Sequence, residues 1–316
     1  MNILEIKNLN LAFLSDNKEY QALYNINLSL KQGEMLALVG ESGCGKTITA
    51  MSVLRLLPPN AGIMSGEIIY NGEDILKLPL KKMQKIRGKE IALVPQDPMT
   101  SLNPLYTIGS QLIEVIEIHQ NLKGDEAVKK AVEVLELVKI PNAKERIKSY
   151  PHEFSGGMRQ RVIIAMAIAC KSKIIIADEP TTALDVTVQA QIMSLLKEIQ
   201  KEFNTSFIFI SHDFGLVYET ADKAAVMYAG HIVEASRANE IFTNPKHPYT
   251  KALLKTLPDF NSTKLEPIEG QPPSIKDYFQ GCSFEPRCKE KIEICSKEVP
   301  PCFIKNNSCV SCWLYK

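Results

Sequence analysis

Gly40-Glu41-Ser42-Gly43-Cys44-Gly45-Lys46-Thr47 decides how this chain is read, because it fits G-x-x-x-x-G-K-[ST] between a strand and a helix. The strand is the apolar run Glu34 to Val39, and a helical pattern follows Thr47. In that context the glycines let backbone N–H groups close around phosphates. Lys46 neutralises the outer phosphates, and Thr47 offers its hydroxyl to Mg²⁺. A glycine loop formed by chance would not carry the strand, the lysine and the threonine in order. Cys44 reads as a small residue within the loop, with redox sensing as the lesser alternative. Gly40, Ser42, Gly43, Cys44, Gly45, Lys46 and Thr47 are therefore the first candidate contacts of a nucleoside triphosphate.

Two later segments complete the chemistry. Ile174-Ile175-Ile176-Ala177-Asp178-Glu179 sets two carboxylates at the C-terminal end of an apolar strand, where α/β sheets bind ligands. Asp178 is suited to hold Mg²⁺ through its water shell, and Glu179 to orient or deprotonate an attacking water. His212 follows the next apolar run, Phe207 to Ile210, where a histidine reaches a terminal phosphate. Phe154-Ser155-Gly156-Gly157-Met158-Arg159-Gln160-Arg161 is a second phosphate grip, since a serine and a glycine pair at a helix start present free amides and a favourable dipole. One nucleotide needs one such loop on its first side. The second grip is therefore expected to serve a nucleotide held by another subunit.

The totals narrow the class. With 316 residues, the chain suffices for one large α/β domain and a small appendage. Its 37 basic and 36 acidic residues nearly cancel, so no global charge argues for nucleic acid. The N-terminus, Met1-Asn2-Ile3-Leu4-Glu5-Ile6, carries no secretory signature, and the longest apolar run, Val162 to Cys170, is far below the ~20 residues of a membrane span. A cytoplasmic protein is expected, serving a membrane only through a partner. Of eight cysteines, Cys282, Cys288, Cys295, Cys302, Cys309 and Cys312 crowd the last 35 residues. In a reducing compartment that cluster reads as a metal site more readily than as disulfides.

Along the chain, residues 3–9 alternate as an edge strand. Glu67 to Tyr70 is a strand ended by the Asn71-Gly72 turn, Ile91 to Pro95 a buried strand, and Ala224 to Ala235 a hairpin around Ala229-Gly230. Ala127, Ala131, Val134, Leu135 and Val138 share one helix face, opposite Lys129, Lys130, Glu133 and Glu136. They place a helical subdomain at about residues 97–165 within the α/β core. Thr187 to Phe203 completes a strand–helix–strand unit. Past Pro258 the composition turns to Pro, Lys, Glu and Cys, so 259–316 is expected as a cysteine-rich extension of a 1–258 nucleotide-binding domain.

The fixed order of these motifs resembles the ATP-binding subunits of ABC transporters over residues 1–258. The resemblance implies a P-loop α/β fold with a RecA-like core, an antiparallel β subdomain and an inserted helical subdomain. It implies that Gln96 is the Q-loop glutamine, another ligand near Mg²⁺ and the coupling point to membrane subunits. Phe154 to Met158 would be the family signature, Ala183-Leu184-Asp185 the D-loop, His212 the switch histidine and Phe13 the aromatic on adenine, with Tyr20 and Tyr24 as alternatives. Phe154 and Met158 depart from the usual Leu and Gln, while Ser155, Gly156 and Gly157 remain. By the same resemblance, two such subunits close head to tail around two ATP molecules.

Val94-Pro95-Gln96-Asp97-Pro98-Met99-Thr100-Ser101-Leu102-Asn103-Pro104, the run Tyr150 to Arg161, and Asn244-Pro245-Lys246-His247-Pro248-Tyr249-Thr250 are similar to the dipeptide and oligopeptide permease group. That group also includes nickel and glutathione importers. It implies transmembrane permease subunits, a second ATPase subunit, a solute-binding protein reached indirectly, and no nucleic acid. Gly281-Cys282-Ser283-Phe284-Glu285-Pro286-Arg287-Cys288 resembles the group's cluster-binding segment, with Cys295 and Cys312 completing the ligands of a [4Fe–4S] cluster. Cys302 and Cys309 are surplus, and Cys309-x-x-Cys312 keeps a zinc site in competition. A DNA- or ribosome-acting ATPase of the same class is the rival of a different kind; it usually has two nucleotide domains or a long coiled coil, which this chain lacks. A subunit that binds ATP without hydrolysing it is disfavoured by Lys46, Asp178, Glu179 and His212 together.

Overall fold

The computed structural model describes residues 2–182, 184–256, 268–277, 279–305 and 308–316. The first strands are β1 (Asn2–Ser15), β2 (Lys18–Lys31) and β3 (Met35–Val39), and helix α1 (Lys46–Leu54) follows the glycine loop. Next come β4 (Ala61–Tyr70), β5 (Glu73–Asp74), α2 (Leu80–Ile86) and β6 (Ile91–Val94). A helical run follows: α3 (Pro98–Ser101), α4 (Ile108–Gln120), α5 (Asp125–Leu137), α6 (Ala143–Arg146) and α7 (Gly156–Ala169). Then come β7 (Ile174–Asp178), α8 (Val186–Phe203), β8 (Ser206–Ile210), α9 (Phe214–Thr220), β9 (Lys223–Tyr228), β10 (His231–Arg237), α10 (Ala238–Thr243) and α11 (Pro248–Leu254). Short 3₁₀ turns and strands β11 (Phe303–Lys305) and β12 (Ser308–Val310) end the chain. Contacts divide it into two compact units, Met1–Lys77 with Ile210–Lys316, and Leu78–Phe209.

In the first unit, an antiparallel sheet runs in the order β2-β1-β4-β5. The expected edge strand at 3–9 is instead a 14-residue strand flanked on both sides. Its alternation breaks at Asn8, where φ is 48°, so that Ile6 and Leu9 both point inward although three residues apart. Gly66 faces this bulge, and a Cβ there would lie 2.6 Å from the Asn8 carbonyl oxygen. Asn71 and Gly72, at φ 48° and 84°, form the turn into β5, as Ala229 and Gly230, at 45° and 77°, form the hairpin turn after β9.

The second sheet of that unit runs β11-β12-β10-β9-β3. Strand β3, buried at all five positions, pairs parallel with β9 from Leu36↔Lys223 to Val39↔Val226. The C-terminal residues join the same sheet. Strand β12 pairs with β10 (Glu234↔Val310, Ala235↔Cys309) and extends this sheet. Buried Glu234 fastens the join, its two carboxylate oxygens each accepting at 2.9 Å from the amides of Lys246 and His247. Lys246 Nζ then reaches Ser308 Oγ at 2.6 Å.

In the second unit, β6, β7 and β8 lie side by side, with β6 and β7 parallel from Ile91↔Ile174 to Val94↔Ala177. Their burial matches their continuous apolar sequences. Helix α5 buries Ala127, Ala131, Val134 and Leu135, and Val138 at its C-cap is buried with them, so the five share one face as the periodicity predicted. Arg161 of α7 donates to the Val138 carbonyl at 2.9 Å and to Gln191 of α8 at 3.0 Å, tying three helices together. Among the described residues, no helix is long and apolar enough to cross a membrane.

Candidate functional site

In the first unit, β3 delivers the chain into the phosphate loop. Gly40 has φ 147°, and a Cβ there would stand 2.2 Å from the Met227 carbonyl oxygen, so β9 admits only glycine beside it. Gly45, at φ 107°, begins α1 with no side-chain cap, which leaves the helix start to an anion. Lys46 is 6% exposed, with its ammonium donating to the carbonyls of Gly40 at 2.8 Å and Glu41 at 2.9 Å. Thr47 and Ser42 are exposed. Burial raises the Cys44 thiol above its ordinary range, which fits a small buried residue rather than a reactive one. His212 is exposed on a loop anchored by the Ser211 amide, which donates at 3.2 Å to the carbonyl of Leu38 near the end of β3. The structure therefore brings the histidine loop beside the strand that feeds the phosphate loop.

Phe13 is half-buried and faces Tyr20 across β1 and β2. Lys276 lies over the Tyr20 ring at 5.6 Å, and His231 stacks on Tyr24 at 4.4 Å, so one face of each tyrosine is occupied.

In the second unit, β7 ends on buried Asp178, and the chain turns through Glu179 at φ 45°. Glu179 Oε2 accepts from Gln96 Nε2 at 3.0 Å and from Thr182 Oγ1 at 2.8 Å. The residues after β6 and β7 thus meet as expected of neighbouring parallel strands. Asp97 caps α3, accepting from Met99 N–H at 2.8 Å and Thr100 Oγ1 at 2.9 Å, which holds the segment after Gln96 in one shape. Ser155 is the N-cap of α7 and accepts from Met158 N–H at 3.3 Å. Gly156 and Gly157 open the helix, and a Cβ on Gly157 would lie 2.5 Å from Val188 Cγ1. Asp185 caps α8, accepting from Val188 N–H at 2.9 Å. Of the expected D-loop, Ala183 lies outside the described residues.

The chain matches the family model "ABC transporter" over residues 23–182 and the model "Oligopeptide/dipeptide transporter, C-terminal region" over 233–295. It is 47% identical to the oligopeptide transport ATP-binding protein OppD of Bacillus subtilis, over 99% of this chain and 88% of that protein. The chain belongs to the ATP-binding subunits of the oligopeptide/dipeptide group of ABC transporters. The dipeptide transport ATP-binding protein DppD of Bacillus subtilis is 46% identical over 99% of the chain and 94% of its own length. Among solved structures, the ATP-binding cassette MJ0796 in a dimeric post-hydrolysis state with ADP and phosphate is similar at 27% identity and TM-score 0.67, covering 75% of this chain and 99% of that one. The α/β ABC ATPase fold expected from the motifs is thereby established.

The cysteines divide into two sets. Cys302 and Cys309 form a disulfide at the β11–β12 hairpin, so those two do not join a metal site. Cys288 ends one short 3₁₀ turn and Cys295 lies within another. Cys282, Cys288, Cys295 and Cys312 are free thiols lining one pocket with His247 and Trp313. Among the described residues, no group of three or more His, Cys, Asp or Glu side chains is arranged to hold a single metal ion. Burial pushes the Cys282 thiol up to about 12 and raises Cys288 and Cys312, as expected of thiols gathered away from water.

Three residues absent from the expected site stand at the phosphate loop: Glu41, Tyr249 and Arg287. The only sequence sign was a charged residue at the loop's second position and an arginine next to Cys288.

Proposed function

We propose that the chain hydrolyses ATP to ADP and phosphate as the energy-coupling subunit of an importer of dipeptides or oligopeptides. The carrying observation is the start of α7. Ser155 caps it, Gly156 and Gly157 open it, and the chain already has a complete phosphate loop elsewhere. A spare grip of that kind suits a nucleotide bound to a partner ATPase. In this reading Lys46 and Thr47 hold the phosphates and Mg²⁺, with Asp178 and Gln96 near the metal. Glu179 handles the attacking water, His212 senses the terminal phosphate, Phe13 stacks on adenine, and Gln96 answers to the permease.

Closing a mostly open pair of subunits takes ~5.5 kcal/mol of differential binding. Several charge-assisted hydrogen bonds to two terminal phosphates, at ~1.5–3 kcal/mol each, supply it. Hydrolysis removes those contacts and the pair reopens. The working place is the cytoplasmic face of the membrane, beside permease subunits that take substrate from a solute-binding protein. The near-equal identity to an oligopeptide and a dipeptide transport protein, 47% and 46%, supports peptide cargo without choosing between them. Ser155→Arg tests the reading in a pair with one altered subunit. Hydrolysis at the partner's site should fall far more than ATP binding at this chain's own loop; loss of its own binding with normal partner turnover overturns it.

In the extension, Cys282, Cys288, Cys295 and Cys312 fit a [4Fe–4S] cluster in kind, being four free thiols on one pocket. Such a cluster supplies a one-electron centre or a rigid cross-link. Iron and acid-labile sulfide in an anaerobic brown preparation are the expected result; a colourless chain with one zinc overturns it.

A further inference from the structure

Glu41 is held at every polar group. Its carboxylate accepts two bonds from the Arg287 guanidinium, from Nη1 at 2.8 Å and from Nη2 at 3.2 Å. Its amide N–H donates to Tyr249 Oη at 3.1 Å, and its carbonyl accepts from Lys46 Nζ at 2.9 Å. The pair joins residues 246 apart in sequence. The side chains are 6% exposed for Arg287 and 23% for Glu41, so water screens them less than a surface pair.

Arg287 is itself fixed. Its Nε donates to the Glu269 carbonyl at 3.0 Å and Nη1 also reaches Tyr228 Oη at 3.3 Å. Below it, the rings of Tyr228, Tyr249 and Phe284 pack with centroids 4.6 to 5.3 Å apart. The two-pronged contact is one that a lysine does not reproduce.

A carboxylate at the second position of a phosphate loop opposes a polyphosphate, and its repulsion strengthens where water is scarce. We propose that the cysteine-rich extension contributes Arg287 to the ATP site as a positioning residue, which neutralises Glu41 and fixes the loop carrying Lys46. In this proposal Arg287 acts through Glu41. The extension is thereby part of the nucleotide site rather than an ornament beside it.

The test is ATP binding by calorimetry on the full-length chain, with thermal unfolding run in parallel. Arg287→Met should weaken ATP binding about tenfold by exposing the phosphates to an unpaired carboxylate. Arg287→Lys should fall between that variant and wild type. Adding Glu41→Gln to Arg287→Met should restore affinity to within about twofold of Glu41→Gln alone, because the charge needing neutralisation is gone. Losses that simply add overturn the proposal. So does a folded Arg287→Met that binds ATP like wild type, or an affinity loss that follows only the fall in melting temperature and is not rescued by Glu41→Gln.

Discussion

Replacing Glu179 by Gln isolates the chemical step. The carboxylate stands at the end of β7 on a backbone with φ 45°, and its Oε2 accepts from Gln96 at 3.0 Å and Thr182 at 2.8 Å. A glutamine oxygen accepts both bonds in the same place, so the fold and the Gln96 contact are kept. Stability should change by no more than about 0.5 kcal/mol, as for a half-exposed isosteric change. What disappears is the charge and the basicity. General-base assistance is worth about 10²–10⁴-fold, or about 2.7–5.5 kcal/mol of barrier. Phosphate release at saturating ATP should fall by at least a hundredfold, while the ATP dissociation constant stays within about twofold. Turnover near that of wild type in the Glu179→Gln subunit would falsify the assignment. A parallel loss of binding and turnover would move Glu179 from chemistry to structure.

Three further outcomes follow from the geometry. Gly40→Ala sets a Cβ 2.2 Å from the Met227 backbone oxygen, which cannot rotate aside, so the loop must shift at a cost of about 2–3 kcal/mol; nucleotide binding and chemical denaturation should both report it. Glu234→Ala strips the buried Lys246 and His247 amides of their acceptor and should cost about 3 kcal/mol in denaturant melts. Burial pushes His231 down to about 4, so its folded form stays neutral while the unfolded chain takes a proton below the ordinary histidine value. Its contribution is present above about pH 6.5 and is lost as pH falls toward 4, at about 1.4 kcal/mol per pH unit; His231→Phe should flatten the stability curve in that window.

What the sequence made legible was local. Gly40 to Thr47, Asp178-Glu179 and Ser155 to Gly157 each carry their chemistry in a few adjacent residues, and the turns at Asn71-Gly72 and Ala229-Gly230 announce themselves by residue type. The central position of β1 was hidden because the bulge at Asn8 breaks its alternation. Strands β11 and β12 were hidden for a different reason. Three residues such as Ser308-Cys309-Val310 hold no readable period, and their partner β10 lies more than 70 residues back. The Arg287–Glu41 contact is the extreme case, a pairing that neither local spacing nor periodicity can express.

Transport itself tests the account most directly. Membrane vesicles carrying the permease subunits, this chain and its companion ATPase should accumulate a labelled peptide, delivered by the solute-binding protein, when ATP is supplied on the cytoplasmic side. The same vesicles with Lys46→Ala should bind the peptide-loaded protein and accumulate nothing. Uptake of nickel or glutathione in place of peptide, or peptide uptake unaffected by Lys46→Ala, would contradict the account.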